Sequence, residues 1–288
     1  MNNLFSPTYL RQLCAEAGMA PSKAYGQNYL ISEKPIQKII EAGELSVEDT
    51  VVEVGPGFGV LTLAMAPLVK KVLAFEIERH LEEYWARQQR EFRNIEIVWG
   101  NVLNQVENEQ PDIFKNLKGY KVLANIPYQI TSKVLRLFLE EVENKPERII
   151  VMLQKEVAER ICAKSGDMSM LAVSVQYYGV PHVVTKVSKG SFWPSPKVDS
   201  AVLMIKPHTV QKPNVYTDKE FFDFVRVGFS HPRKQLWSNL AGTYKNIDFK
   251  TILKDVTLNE KIRAEELSVE QWKSLAQAIV PNLIEESF

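Results

Sequence analysis

Two short segments combine residue types and spacing suited to chemistry on a nucleoside. The first is Asn125-Ile126-Pro127-Tyr128, directly after an apolar run at residues 121–124. An adenine exocyclic amine is a poor nucleophile, because its lone pair is delocalised into the ring. The side-chain oxygen of Asn125 and a main-chain carbonyl near Ile126 can accept both N6 hydrogens. That favours a pyramidal nitrogen whose lone pair points outward at an electrophile. Pro127 would hold the turn rigid and Tyr128 could stack on the base, which requires its ring and not its hydroxyl. If the electrophile is a methyl on a sulfonium, the leaving group is built in and no metal is needed. Catalysis is then mainly positioning and electrostatics.

The second segment is Glu53-Val54-Gly55-Pro56-Gly57-Phe58-Gly59. Glycines here let the backbone turn sharply and let a ligand approach main-chain atoms. The spacing is G-x-G-x-G, not the G-x-G-x-x-G of a dinucleotide fold, which argues against a nicotinamide-dependent dehydrogenase. Glu76 stands 17 residues beyond Gly59, at the end of another apolar run. A carboxylate there can accept both hydroxyl hydrogens of a ribose. The bland alternatives are a glycine-rich turn with a surface glutamate, and a strand-ending turn with a half-buried tyrosine. The strand context of both segments weighs against them.

These residues need a scaffold that places them at neighbouring strand ends. Short runs rich in β-branched residues at 51–54, 72–76, 95–98, 121–124 and 148–153 read as strands buried on both faces. Amphipathic stretches at 61–68, 79–90, 132–143 and 155–163 read as the intervening helices. Residues 183–187 and 201–205 read as two further strands joined by a Pro-rich loop, and 169–178 is ambiguous by periodicity. After a linker at 208–213 the pattern is helical, at 218–229, 234–244 and 268–279, with Ser268 as an N-cap. The predicted architecture is α/β, a doubly wound, mostly parallel Rossmann-like sheet over residues 1–206, which include the N-terminal segment 1–49. A smaller helical domain is expected over 207–288.

The chain has 288 residues, 45% of them apolar and 24% charged, within the range of ordinary globular proteins. Cys14 and Cys162 form no Cys/His cluster and read as reduced thiols of a cytoplasmic protein without a structural metal. No secretory leader and no membrane span is expected. Thirty-five basic residues offset 35 acidic ones, whereas many RNA binders are strongly basic. By segment, residues 226–254 hold six Lys/Arg against one Asp/Glu, and 145–206 hold nine against five. That permits a basic face.

Further motifs occur in order around these two: Gly26-Gln27-Asn28-Tyr29-Leu30, Leu61-Thr62, residues 154–160 (QKEVAER) and residues 192–202 (FWPSPKVDSAV). With them the chain resembles, over nearly all of residues 20–240, the bacterial small-subunit rRNA adenine dimethyltransferases. That family methylates two neighbouring adenosines near the 3′ end of small-subunit rRNA, using S-adenosylmethionine. The resemblance implies that Gln27, Asn28, Glu53, Gly55 and Gly57 line the methionine end of the cofactor and that Glu76 meets its ribose. Leu30, Ile77, Asn101 and Asn125 complete the implied cofactor contacts. Phe192 would face Tyr128 across the flipped adenine, and Lys197 would lie near phosphate. The implied partner is rRNA or a small-subunit precursor, met by a monomer in the cytoplasm.

Two positions depart from the family. Gly100-Asn101 stands where relatives carry Gly-Asp, so the hydrogen bond to the cofactor's adenine amine would lose its charge-assisted part. Residues 231–237 (HPRKQLW) are less basic than in relatives. Two other functions fit the same fold: a large-subunit rRNA adenine methyltransferase conferring macrolide resistance, and a nucleic-acid-binding factor that has lost catalysis. The intact Asn125–Tyr128 segment argues against the latter.

Overall fold

The computed structural model describes residues 2–22, 26–104, 113–209, 215–245, 247–257 and 259–285. Its strands are β1 (Tyr29–Leu30), β2 (Thr50–Val54), β3 (Lys71–Glu76), β4 (Ile95–Trp99), β5 (Tyr120–Asn125), β6 (Arg148–Gln154), β7 (Gly179–Val187), β8 (Phe192–Trp193) and β9 (Ser200–Pro207). Seven form one sheet in the order β4-β3-β2-β5-β6-β9-β7, and β1 pairs with β8. The strands from β4 to β6 run parallel, whereas β9 is antiparallel to both β6 and β7. Val51, Val52, Val72, Val122, Leu123, Ile150 and Val151 have no exposed surface, as expected of apolar runs covered by helices on both faces. This is the predicted fold class, with a helical C-terminal region.

The helices between strands follow the expected order with local differences. Residues 61–68 form a short helix at Thr62–Met65 and a 3-10 turn at Ala66–Leu68. The stretch expected at 132–143 is helical over Thr131–Arg136 and then widens into a π-helical turn at Leu137–Glu141. Helices at Pro7–Glu16, Glu33–Gly43 and Phe249–Thr257 were not anticipated. The first has a legible start, with Ser6 as N-cap accepting from Tyr9 N (3.4 Å) and Pro7 following it. Ser268 does cap the last helix, its hydroxyl accepting from Gln271 N (3.2 Å). No helix among the described residues is long and apolar enough to cross a membrane.

The chain forms two compact units, Met1–Ala158 with Gly179–Pro207, and Glu159–Tyr178 with His208–Phe288. This differs from the expected cut after residue 206, because residues 159–178 group with the C-terminal helices. Met170–Tyr178 is a helix whose Tyr177 ring stacks on Phe221 at 4.4 Å. The hydroxyls of Tyr177 and Tyr178 both donate to Asp218 (2.8 Å each). The helix buries residues around most of its circumference, so its sequence shows neither helical nor strand periodicity.

In the first unit, β2 runs directly into the glycine turn. Gly59 has φ +81°, and a Cβ there would come within 2.7 Å of the Trp85 ring. Trp85 is fully buried and donates from Nε1 to the Gly57 carbonyl (3.0 Å), so it cannot retreat without releasing the turn. Gly59→Ala therefore combines left-handed backbone strain with a steric clash and should destabilise the protein by at least about 2 kcal/mol. Urea denaturation measures this; a change below about 0.5 kcal/mol would show that the turn relaxes freely.

Candidate functional site

The C-terminal ends of β2, β3 and β5 open into a cleft bordered by Glu53, Glu76 and Asn125, one from each strand. Parallel pairing brings the strand ends together: Val54 sits beside Phe75, and Gly55 N donates to the Phe75 carbonyl (2.9 Å). Gly55 has φ +70°, and a Cβ there would find only Pro127 Cδ, 3.9 Å away. The missing side chain thus leaves space at the cleft wall for a ligand to approach the backbone.

Two carboxylates border this space. Glu76 is 4% exposed and accepts from three backbone N–H groups: Gly57 on Oε2 (3.0 Å), Ile77 and Glu78 on Oε1 (2.8 Å each). Burial pushes its carboxyl upward, and the three hydrogen bonds oppose that. A carboxylate offers about four lone-pair sites, so the three donors leave room to accept a hydroxyl from a ligand. Glu53 is 1% exposed and accepts from Thr62 Oγ1 (2.6 Å). Burial pushes it up to about 8, with the Thr62 bond opposing and the neighbouring Glu76 charge adding. It is therefore a neutral acid near pH 7, which can donate as well as accept.

The opposite wall is Asn125–Tyr128. Asn125 Nδ2 donates to the Asn28 carbonyl (3.3 Å), an arrangement that leaves Oδ1 as the acceptor. Ile126 is 1% exposed and its N–H donates to Met152 O in β6 (3.2 Å). The Pro127 carbonyl accepts from Ile130 N (3.1 Å), whereas the Ile126 carbonyl has no partner among the described residues. Tyr128 Oη lies 2.7 Å from Ser200 Oγ, and burial raises its phenol above the usual range. Phe192 is 3% exposed and is held by the β1–β8 pairing, in which Leu30 faces Phe192.

Every site residue expected from sequence except Asn101 borders this one cleft: Gln27, Asn28, Leu30, Glu53, Gly55, Gly57, Glu76, Ile77, Asn125, Ile126, Pro127, Tyr128 and Phe192. Asn101 is exposed just after β4 and is not among the bordering residues; its Oδ1 accepts from Leu103 N (3.0 Å), which leaves its second lone pair for another donor. Lys197 is exposed in the loop between β8 and β9. Sequence reasoning missed Leu4 and Leu10, which border the cleft from the N-terminal helical segment, and gave no role to Ser200, which lies within the 192–202 motif and stands behind Tyr128. The Ser6-Pro7 helix start would have pointed to Leu10.

The residues present fit S-adenosylmethionine on the chemistry of the donor set. The cleft has an open backbone at Gly55, an acceptor for hydroxyls in Glu76 and a neutral, buried acid in Glu53.

The state of Glu53 has a measurable consequence. Between the usual 4.5 and about 8 the folded protein keeps this proton and the unfolded chain releases it. The unfolded state binds fewer protons over that window, so the Glu53 contribution to stability falls as pH rises through it. Glu53→Gln keeps a neutral side chain of the same shape, so its stability relative to wild type should increase between about pH 5 and about pH 8. Urea titrations of both proteins at the two pH values test this; parallel behaviour would mean that Glu53 is ionised throughout.

The ribosomal RNA small subunit methyltransferase A of Dehalococcoides mccartyi is 40% identical over 257 residues, covering 88% of this chain and 86% of that protein. The protein of the same name from Leuconostoc mesenteroides is 36% identical and covers 96% of both chains. A dimethyladenosine transferase from Plasmodium falciparum superposes with a TM-score of 0.73 at 26% identity, over 88% of this chain and 97% of that one. The 23S rRNA methyltransferase ErmE gives 0.68 at 26% identity, over 85% and 97%. The profile described as ribosomal RNA adenine dimethylase matches residues 20–280. With that match over most of its length, the chain belongs to the ribosomal RNA adenine dimethylase family.

Proposed function

We propose that the chain binds S-adenosylmethionine in the cleft of the first unit and dimethylates N6 of two adjacent adenosines near the 3′ end of small-subunit rRNA. It acts as a monomer in the cytoplasm, on rRNA or a precursor particle, with the second unit contacting RNA. One observation carries this reading. Asn125, Tyr128 and Phe192 border the same cleft as Glu53 and Glu76, so a base and a nucleoside cofactor would meet within it.

When bound, S-adenosylmethionine supplies a methyl group on a positively charged sulfur. Asn125 Oδ1 and the Ile126 carbonyl accept the N6 hydrogens, holding the nitrogen pyramidal with its lone pair toward that methyl. The cofactor would supply its methyl to that lone pair, and the surplus N6 proton would leave to water. Tyr128 and Phe192 hold the ring from its two faces. The second transfer has one N6 hydrogen fewer to hold, and so relies on a single acceptor. Glu76 accepts from the ribose, and Gln27 and Asn28 hold the amino-acid end.

Glu76→Ala should weaken binding of S-adenosylmethionine by at least about tenfold in calorimetry, because a charged acceptor is lost. Unchanged affinity would remove Glu76 from the site. Asn125→Ala should lower turnover by about a hundredfold while leaving cofactor affinity within a few-fold, as expected of an acceptor that acts mainly in the transition state. Tyr128→Ala should also impair turnover. The assay is mass spectrometry of nucleosides from separated small-subunit and large-subunit particles of cells lacking the protein, after incubation with labelled cofactor. Label on large-subunit adenine would favour the activity named for ErmE; label on cytosine, ribose or protein would overturn the assignment.

A further inference from the structure

Stacking on a base calls only for the ring of Tyr128, yet its hydroxyl has a specific and buried partner. Ser200 has no exposed surface and begins β9 where three strands meet, paired with Gln154 of β6 and Val187 of β7. Its neighbour Asp199 accepts Lys155 N on its carbonyl (3.0 Å) and Lys189 N on Oδ1 (2.9 Å). These bonds fix the start of β9 to the end of β6 and to the loop that leads to Phe192. Tyr128, by contrast, sits in a single 3-10 turn, Tyr128–Ile130, outside the sheet. Among the described residues, Ser200 is its one side-chain hydrogen-bond partner, at 2.7 Å.

We infer that Ser200 is a positioning residue, which holds the plane of the Tyr128 ring through the phenol hydroxyl so that the stacking wall is set before a base arrives. The inference rests on the reading of Tyr128 as the base-stacking residue. A tyrosine ring is placed by two side-chain torsions, and an anchor at its far end restrains both. Without the anchor the ring must be ordered when the base binds, which costs rate because the reacting nitrogen depends on the plane of the base. Burial keeps the phenol protonated over the working pH range, so the bond persists.

The test is a double-mutant cycle on turnover with small-subunit particles, read beside cofactor affinity. Ser200→Ala and Tyr128→Phe should each lower kcat by about tenfold, the scale of one lost hydrogen bond, with S-adenosylmethionine affinity within about twofold of wild type. The double variant should be no slower than either single one, because both remove the same bond. Losses that multiply, or wild-type turnover in both single variants while Tyr128→Ala is inactive, would overturn the role of Ser200 and leave the stacking intact. Wild-type turnover in Tyr128→Ala would overturn the stacking itself. If Ser200→Ala fails to fold, as lost cofactor affinity would reveal, Tyr128→Phe decides alone: a tenfold loss supports the anchor and a wild-type rate refutes it.

Discussion

A carboxylate buried at a strand end must be compensated by fixed donors, and Glu76 shows how much structure follows from that need. Its three donors are backbone N–H groups of Gly57, Ile77 and Glu78, which lie on two different segments. The bond to Gly57 ties the glycine turn after β2 to the end of β3. Trp85 ties the same turn from beneath by donating to the Gly57 carbonyl. The turn is therefore held from both sides, and the open backbone at Gly55 is a built feature of the cleft. Unlike a side chain that would fill the space, backbone donors leave the carboxylate with capacity for a ligand.

The two halves of the site are joined by main-chain bonds as well as by proximity. Tyr29 and Leu30 pair with Trp193 and Phe192, so the motif assigned to the cofactor and the aromatic assigned to the base share one small sheet. Asn125 adds a second link by donating to Asn28, 97 positions earlier. Methyl transfer needs the donor carbon and the acceptor nitrogen aligned to within fractions of an ångström. A common backbone framework supplies that alignment better than two separately mobile walls. Glu53 belongs to the same logic: burial is the main cause that disfavours its ionised form, and repulsion from Glu76 adds to it.

The sheet explains why chemistry collects at this edge. Parallel strands joined by right-handed crossovers leave all their C-terminal ends on one side, where loops are free to carry functional side chains. The antiparallel pair β9 and β7 extends the sheet beyond β6 and brings Asp199 and Ser200 back to that edge. The loop before β9 thereby returns Phe192 to the cleft from a position far along the chain.

What the sequence by itself determined is the local chemistry. Buried strands announce themselves as short β-branched runs, and glycines that must turn stand beside the strand that feeds them. The Asn125–Tyr128 segment carries its acceptor, its rigid turn and its ring within four residues. All of these depend on neighbours in the chain, and they meet in the cleft with Gln27, Asn28, Leu30, Ile77 and Phe192, which only the family resemblance had pointed to. Tertiary structure decided what depends on distant partners. The side on which residues 159–178 pack is set by Phe221 and Asp218, and the helix itself is apolar nearly all round. The hydroxyl of Tyr128, dispensable for stacking, meets Ser200 72 positions later only because β9 returns beside β6. Asn101, expected at the cofactor, is exposed just after β4, and its oxygen accepts from the turn that follows it. Periodicity and motif spacing report on a residue and its near neighbours, whereas hydrogen-bond partners and burial are fixed by which surfaces the folded chain brings together.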